Sequence, residues 1–410
     1  MNTQNSDALI CEKTSPNPKM TVKRYVIYIG QMEFPAENAA AQSALGMASL
    51  LKKTGFETIF HGLSKDPHSS NDFCVEKEIN GYKLYESAYP SSVMDWAKFI
   101  VRDDYLSVLI KQYGSQNIHA VIAYNYPAIA MARMCRLCSK YGINFVSNCT
   151  EWYGHSVNIV KNMDTFLRMK IVNNYARNVI CISDYLELFY IKRGCHTVNI
   201  PSLIDNNDVK WVYDGMKYIP NKPRSLVYVG SPGKSFEKDR LDWLIEVLQK
   251  VKNDNIGFNL NIIGATKDQY LSVCPEQRML IEGLKNEIVF HGRLSNEEAI
   301  KFIKKADYSV FFRGVNRVTS AGFPTKLAES FACGTPVITN PTSNISKYLI
   351  NGMNGYLAES DAVADLYRTM KRALLDSDSN LQAMNAFCLT QNPLHINNFI
   401  DKLKVFMGSL

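Results

Sequence analysis

Lys326 and Glu329 stand three residues apart behind Gly-Phe-Pro-Thr, in the run TSAGFPTKLAESFACGTPVIT. Pro324 suits the first turn of a helix, where its missing N–H has no intrahelical partner to lose. Thr325 and Lys326 then sit at the positive end of the helix dipole, where an anion is favoured and a cation is not. A bound phosphate resolves that conflict. Glu329, one turn on, can accept hydrogen bonds from ribose hydroxyls. The competing interpretation is a solvated i,i+3 Lys–Glu pair, worth roughly 0.3 kcal/mol.

A second lysine-bearing turn lies earlier. The strand-like SLVYVG runs straight into SPGKSFEKDRLDWLIEVLQK. Gly230 and Gly233 permit a tight turn and close backbone approach, while Lys234 and Lys238 supply positive charge beside a helix start. Two such turns in one half of the chain favour a nucleotide diphosphate over a pair of solvated loops. In the first half, SNCTEWYGHS follows the strand-like INFVS and places Glu151 before two large aromatics. Carboxylates accept sugar hydroxyls and aromatic faces stack on sugar rings, so Glu151 and Trp152 are candidates for the second substrate, with His155 a weaker one. Asn38 reads as the cap of a helix whose Ala39–Ala41 start allows close approach.

These residues need a frame. Short β-branched runs alternate with amphipathic stretches almost throughout, which implies parallel sheets with helices on both faces. The alternation lapses between residues 203 and 223, where Asn, Asp, Pro and Lys accumulate. The expected organisation is α/β: a disordered tail over 1–22, a Rossmann-like domain over 23–203, a linker over 204–223 and a second Rossmann-like domain over 224–380. Residues 381–410 read as helix that crosses back. Ligands in such sheets bind beyond the carboxyl ends of the strands, so two facing domains make a cleft.

The totals exclude several classes. At 410 residues the chain exceeds one ordinary core. Its net charge of +7 is spread without a Lys/Arg block, so no nucleic-acid partner is expected. No run approaches the roughly 20 apolar residues of a membrane span, and the N-terminus has no signal-peptide pattern. Ten scattered cysteines suggest a reducing, cytoplasmic setting, and the Cys135/Cys138 pair reads as incidental to a helix. No Asp-x-Asp pair occupies a suitable loop, so no metal is expected. No G-x-G-x-x-G opens either half, which argues against a dinucleotide oxidoreductase.

From YVG through NIIG, IVFHGRLSNEEAIKFIKKADYSVFF and GFPTKLAESFACGTPVI to INGMNGYLAE, residues 225–360 resemble the donor domain of retaining glycosyltransferases of family 4, with the GT-B architecture of two Rossmann-like domains facing a central cleft. The resemblance implies a nucleoside diphosphate sugar as co-substrate, no other cofactor, and a saccharide or lipid-linked acceptor in polysaccharide assembly at the inner face of a membrane. It assigns the ribose to Glu329 and the diphosphate to Phe323, Pro324, Thr325 and Lys326. It puts the base near His291, and brings the loop after the first strand, with Glu33 and Asn38, to the acceptor. Lys326, Lys238 and Glu151 are the implied catalytic groups. Two departures stand out. Ala321 replaces the family's second glutamate, and Ser231 replaces the arginine after YVG, within a turn that carries extra residues. Ala321 suggests as a rival a nucleotide-sugar-binding protein without catalysis; a GT-B-shaped sugar-nucleotide epimerase is a further rival, which would need several acid/base groups where only Glu151 and His155 present themselves.

Overall fold

The computed structural model describes residues 24–34, 38–64, 76–154, 156–206, 208–212, 223–230 and 238–410. The first domain is an eight-stranded sheet. Its strands are β1 (Tyr25–Gly30), β2 (Glu57–Ser64), β3 (Glu76–Ile79), β4 (Tyr82–Ala88), β5 (Ile118–Tyr124), β6 (Asn144–Cys149), β7 (Asn178–Cys181) and β8 (His196–Asn199). They lie in the order β3-β4-β2-β1-β5-β6-β7-β8, parallel apart from the β3–β4 hairpin. The second domain holds β9 (Arg224–Val229), β10 (Phe258–Ile263), β11 (Ile288–Gly292), β12 (Tyr308–Val310), β13 (Val337–Thr339) and β14 (Gly355–Leu357), all parallel, in the order β11-β10-β9-β12-β13-β14. Both domains therefore have the expected doubly wound α/β plan.

Strand composition explains the layering. β1 and β5 are apolar along most of their length, and β6 is almost wholly buried although it carries Asn144, Ser147 and Asn148, because helices cover both faces. One face of the first sheet packs against helix Ala39–Lys53 and the C-terminal helix Ile400–Gly408. The other packs against helices Val93–Val101, Asp104–Tyr113 and Ala128–Tyr141 and the helical run from Ile159 to Ala176. Asn38 does cap the first of these helices: its Oδ1 accepts from the Ala41 amide at 2.8 Å.

The hairpin was not foreseen. Its turn is Asn80-Gly81, both with positive φ (48° and 78°), the pairing that a two-residue hairpin loop favours. In each sheet the strand order reverses beside the first strand, between β1 and β5 and between β9 and β12. Those switch points place the loops after β1, β5, β9 and β12 around one crevice.

The last helix belongs physically to the first domain. The His119 Nε2 lies 2.8 Å from the Met407 carbonyl, His196 stacks on Phe406 at 4.6 Å, and Leu403, Phe406 and Met407 are buried. Ile204 and His395 form a parallel bridge where the two crossings between domains run side by side. Phe406→Ala is expected to cost about 3–5 kcal/mol, read as a lower urea midpoint. An unchanged midpoint would show that this helix does not complete the first core.

Candidate active site between the two sheets

A cleft of about 1220 Å³ opens between the carboxyl edges of the two sheets. Its second-domain wall includes Gly230, Lys238, Asp239, Arg313, Phe323, Pro324, Thr325, Lys326 and Glu329, and its first-domain wall includes Asn38, Tyr124, Thr150 and Glu151.

The helix Thr325–Ala332 begins at this wall, with Pro324 one residue before its first turn and no side chain capping it. Its first-turn N–H groups lack intrahelical acceptors. Lys326 does not pair with Glu329, and the bare conflict with the helix dipole expected from sequence is not what the structure holds. Lys326 Nζ instead donates to the buried carboxylate of Asp239, with the Tyr228 and Phe311 rings 4.5 and 5.2 Å away. Tyr228 also donates to Asp239, at 3.0 Å. Gly230 makes room for this lysine: a Cβ there would stand 2.7 Å from Lys326 Nζ, and its φ of +155° disfavours any other residue.

Arg313 completes the cluster. It follows β12, is 5 % exposed, and its Nε lies 3.4 Å from Asp239 Oδ1. Its Nε and Nη1 have no hydrogen-bond acceptor among the described residues. Burial pushes the Asp239 carboxyl up, but Lys326 and Arg313 together outweigh it and hold the group below its ordinary value. Burial lowers Arg313 in turn, opposed by Asp239 and Glu151. Two cations against one carboxylate leave this wall electropositive. Neither Asp239 nor Arg313 was singled out from sequence. The available signal was an arginine three residues beyond the short strand Tyr308–Val310 at the switch point.

Glu329 is half-buried in the cleft, and its carboxylate makes no hydrogen bond with the described residues. Burial raises its carboxyl, with Lys326 and Lys210 pulling the other way. Lys210 is a further cation at the cleft, donating to Gln42 Oε1 at 2.6 Å. Across the opening, Lys238 Nζ donates to Glu151 Oε1 at 2.5 Å, so two residues 87 positions apart are brought together between the domains.

Other expected residues stand elsewhere. Trp152 is not an open sugar platform: it is buried against Phe189 and Tyr185, with Lys170 and Arg317 over its ring, and is absent from the cleft wall. The His291 side chain is held by Asn261 at 2.8 Å and rests on Phe302, while Arg293, Leu294 and Ser295 beyond it line the cleft. Glu33 is half-buried after β1, outside the cleft wall. Ser231, Gly233, Lys234 and His155 lie outside the described residues. Ala321 is buried at the domain junction, where its carbonyl accepts from Ser183 Oγ at 2.7 Å.

Residues 223–376 match the profile of the family described as "Glycosyl transferases group 1". Solved structures resemble nearly the whole chain. Sucrose-phosphate synthase from Thermosynechococcus elongatus superposes with a TM-score of 0.68 at 14% identity, covering 94% of this chain and 99% of that one. HepE of Anabaena, in complex with UDP, gives 0.63 at 13% identity over 94% and 100%. The fold is GT-B. An uncharacterized glycosyltransferase of Methanocaldococcus jannaschii is 29% identical over 126 residues, 31% of this chain. The match spans about a third of that relative's length, 32%.

Asp239→Asn strands the buried Arg313 and the partly buried Lys326, and is expected to cost about 3–5 kcal/mol. The sign in pH follows from the depressed carboxyl. Its stabilisation is complete above the unfolded value near 3.8 and lost as pH falls through the lower folded value. Acid denaturation curves should therefore be shallower for the variant; parallel curves would remove Asp239 from this account.

Proposed function

We propose that the protein is a retaining, metal-independent glycosyltransferase. It moves a sugar from a nucleoside diphosphate sugar to a hydroxyl of a saccharide or lipid-linked saccharide in polysaccharide assembly. One observation carries this: a buried arginine with unused donors, a lysine and an uncapped helix start converge on one wall of a GT-B cleft, facing Glu151 on the other. The match of residues 223–376 to the glycosyl transferases group 1 profile supports it, as does the crystallisation of a protein of the same fold with UDP.

In this reading the diphosphate accepts from Arg313, Lys326 and the first-turn amides of the helix at Thr325, while Glu329 accepts from the ribose. The bond between anomeric carbon and phosphate oxygen breaks with its electron pair passing to the phosphate. Charge grows where these donors already point, the arrangement with the largest catalytic effect. The acceptor hydroxyl bonds to the anomeric carbon and passes its proton to the departing phosphate, so no separate base is needed. Glu151 orients the sugar, and Lys238 neutralises the outer phosphate. Retention and polysaccharide assembly rest on the resemblance of the GFPTKLAESFACGTPVI block. A nucleotide-sugar-binding protein without catalysis is the second reading, because Ala321 presents no carboxylate and is buried at the junction.

Lys326→Ala and Arg313→Ala are each expected to lower kcat/KM about 100-fold or more, near 2.7 kcal/mol, with folding checked by circular dichroism. Arg313→Lys should recover part of the loss. Wild-type kinetics in both alanine variants would defeat the assignment, and a donor held intact with every acceptor would favour the second reading. Activity should survive EDTA. Affinity for a nucleotide sugar should fall as pH drops through the raised Glu329 value, since protonation removes an acceptor from the ribose; Glu329→Gln should flatten that profile in isothermal titration.

A further inference from the structure

A second cavity, of about 470 Å³, opens in the first domain and shares none of its lining residues with the cleft. It lies beyond the ends of β2 and β4, against helices Val93–Val101, Asp104–Tyr113 and Ala128–Tyr141. That size falls within the range of about 300–1,000 Å³ typical of small-molecule sites. Its floor is buried yet polar. Tyr126 is 1 % exposed, and its Oη has no hydrogen-bond partner among the described residues, an arrangement a fold disfavours unless something else bonds there. Tyr105, its ring 6.5 Å away, donates to Met134 Sδ at 3.9 Å instead. His61 Nε2 lies 3.0 Å from Ser87 Oγ, and the His61 ring stacks on Tyr105 at 3.9 Å. Burial, assisted by Arg102, lowers the His61 pKa to about 3, so that ring is neutral. The half-buried Ser87 hydroxyl keeps capacity for a further bond.

The walls carry charge in pairs. Arg102 Nε donates to Asp104 Oδ1 at 2.6 Å, and Arg133 Nε and Nη2 donate to Asp103 Oδ1 at 3.1 and 2.8 Å. With Lys98 and Asp95, three cations face three carboxylates among the described lining residues. The cavity therefore favours neither an anion nor a cation. Guanidinium N–H groups beside carboxylate oxygens suit neighbouring hydroxyls, which both donate and accept. Phe99 and the half-buried Tyr89 add aromatic surface for an apolar ring face.

We propose that this cavity binds one ring of a neutral saccharide, as a sugar site separate from the cleft. Two sources share that chemistry: a remote unit of the saccharide whose end stands at Glu151, and a free sugar bound apart from turnover. The loop after β5 links the two places, since Tyr124 lines the cleft and Tyr126 the cavity. Only the first source rests on the proposed transfer; binding itself does not.

The test is a ligand-observed NMR titration of the full chain with glucose, galactose, mannose and N-acetylglucosamine, with glucuronate as the charged control. At least one neutral sugar should bind, and Tyr126→Phe and Arg133→Met should each weaken it about tenfold, the effect of one hydrogen bond. Tyr126→Phe removes a hydroxyl that bonds to no described residue, and Arg133 is exposed, so melting temperatures should hold. Glu151→Gln should leave the affinity unchanged. Binding by none of the four sugars, or binding that both cavity variants retain, overturns the inference. So does binding lost in Glu151→Gln alone, or glucuronate outbinding every neutral sugar. A transfer assay separates the sources: with a remote acceptor unit, Tyr126→Phe raises KM for an oligosaccharide acceptor and not for a monosaccharide, whereas with a free sugar both KM values stay. Thermal shift with UDP on the same proteins separates the two readings: absence of a nucleotide response would sink the transferase assignment and leave the sugar result standing.

Discussion

The carboxylate of Asp239 ties together the three elements that make the second-domain wall. It receives Lys326 from the helix after β12, approaches Arg313 at the end of β12, and bonds to Tyr228 on β9. Two cations placed this close in a desolvated wall would repel without it, and one carboxylate cannot neutralise both. The cluster therefore folds as a unit and still carries a surplus positive charge at the cleft surface. That balance reconciles stability with binding. A buried charge left without a partner costs several kcal/mol, whereas a partly satisfied arginine at the edge of an opening has donors to offer an anion.

The sheets supply the geometry. Because β9 and β12 adjoin at the switch point, their following loops diverge to either side and leave the crevice that Gly230 keeps open for Lys326. The first sheet repeats the plan with β1 and β5. The halves are joined by polar contacts, Glu151–Lys238, Ser183–Ala321 and Asp184–Lys347, by the paired crossings at Ile204 and His395, and by an apolar seam in which Trp152, Ile182 and Leu186 share one buried cluster with the second domain's core.

Much of this was legible from periodicity. The β-branched runs became strands, and the GFPTKL turn reached the cleft because Pro324 and the helix start are local features. The failures were of another kind. The Asn80-Gly81 hairpin had a clear turn signal, yet its strand Glu76–Ile79 is largely exposed and charged, so it did not read as sheet; its tip nonetheless lines the cleft. Trp152 looked exposed beside Glu151, but residues 185, 189 and 317 arrive from far along the chain to cover it. Asp239 and Arg313 were invisible for the same reason. Their meaning is a distance of 3.4 Å across 74 residues, and no local pattern encodes it.

The pair between Lys238 and Glu151 bears on how the two walls communicate. Both side chains are partly exposed, 46% and 33%, so the ion pair contributes little to stability on its own. Its position matters more than its strength. Under the proposed function the donor's outer phosphate is a stronger anion than a carboxylate and competes for Lys238, which frees Glu151 to turn toward a sugar hydroxyl. In the structure each group holds the other, and under the proposed function a substrate would take the place of that contact. Asp239 cannot exchange in this way, because it is buried and its removal would uncover Arg313. One carboxylate is structural and the other available, and burial draws the line between them.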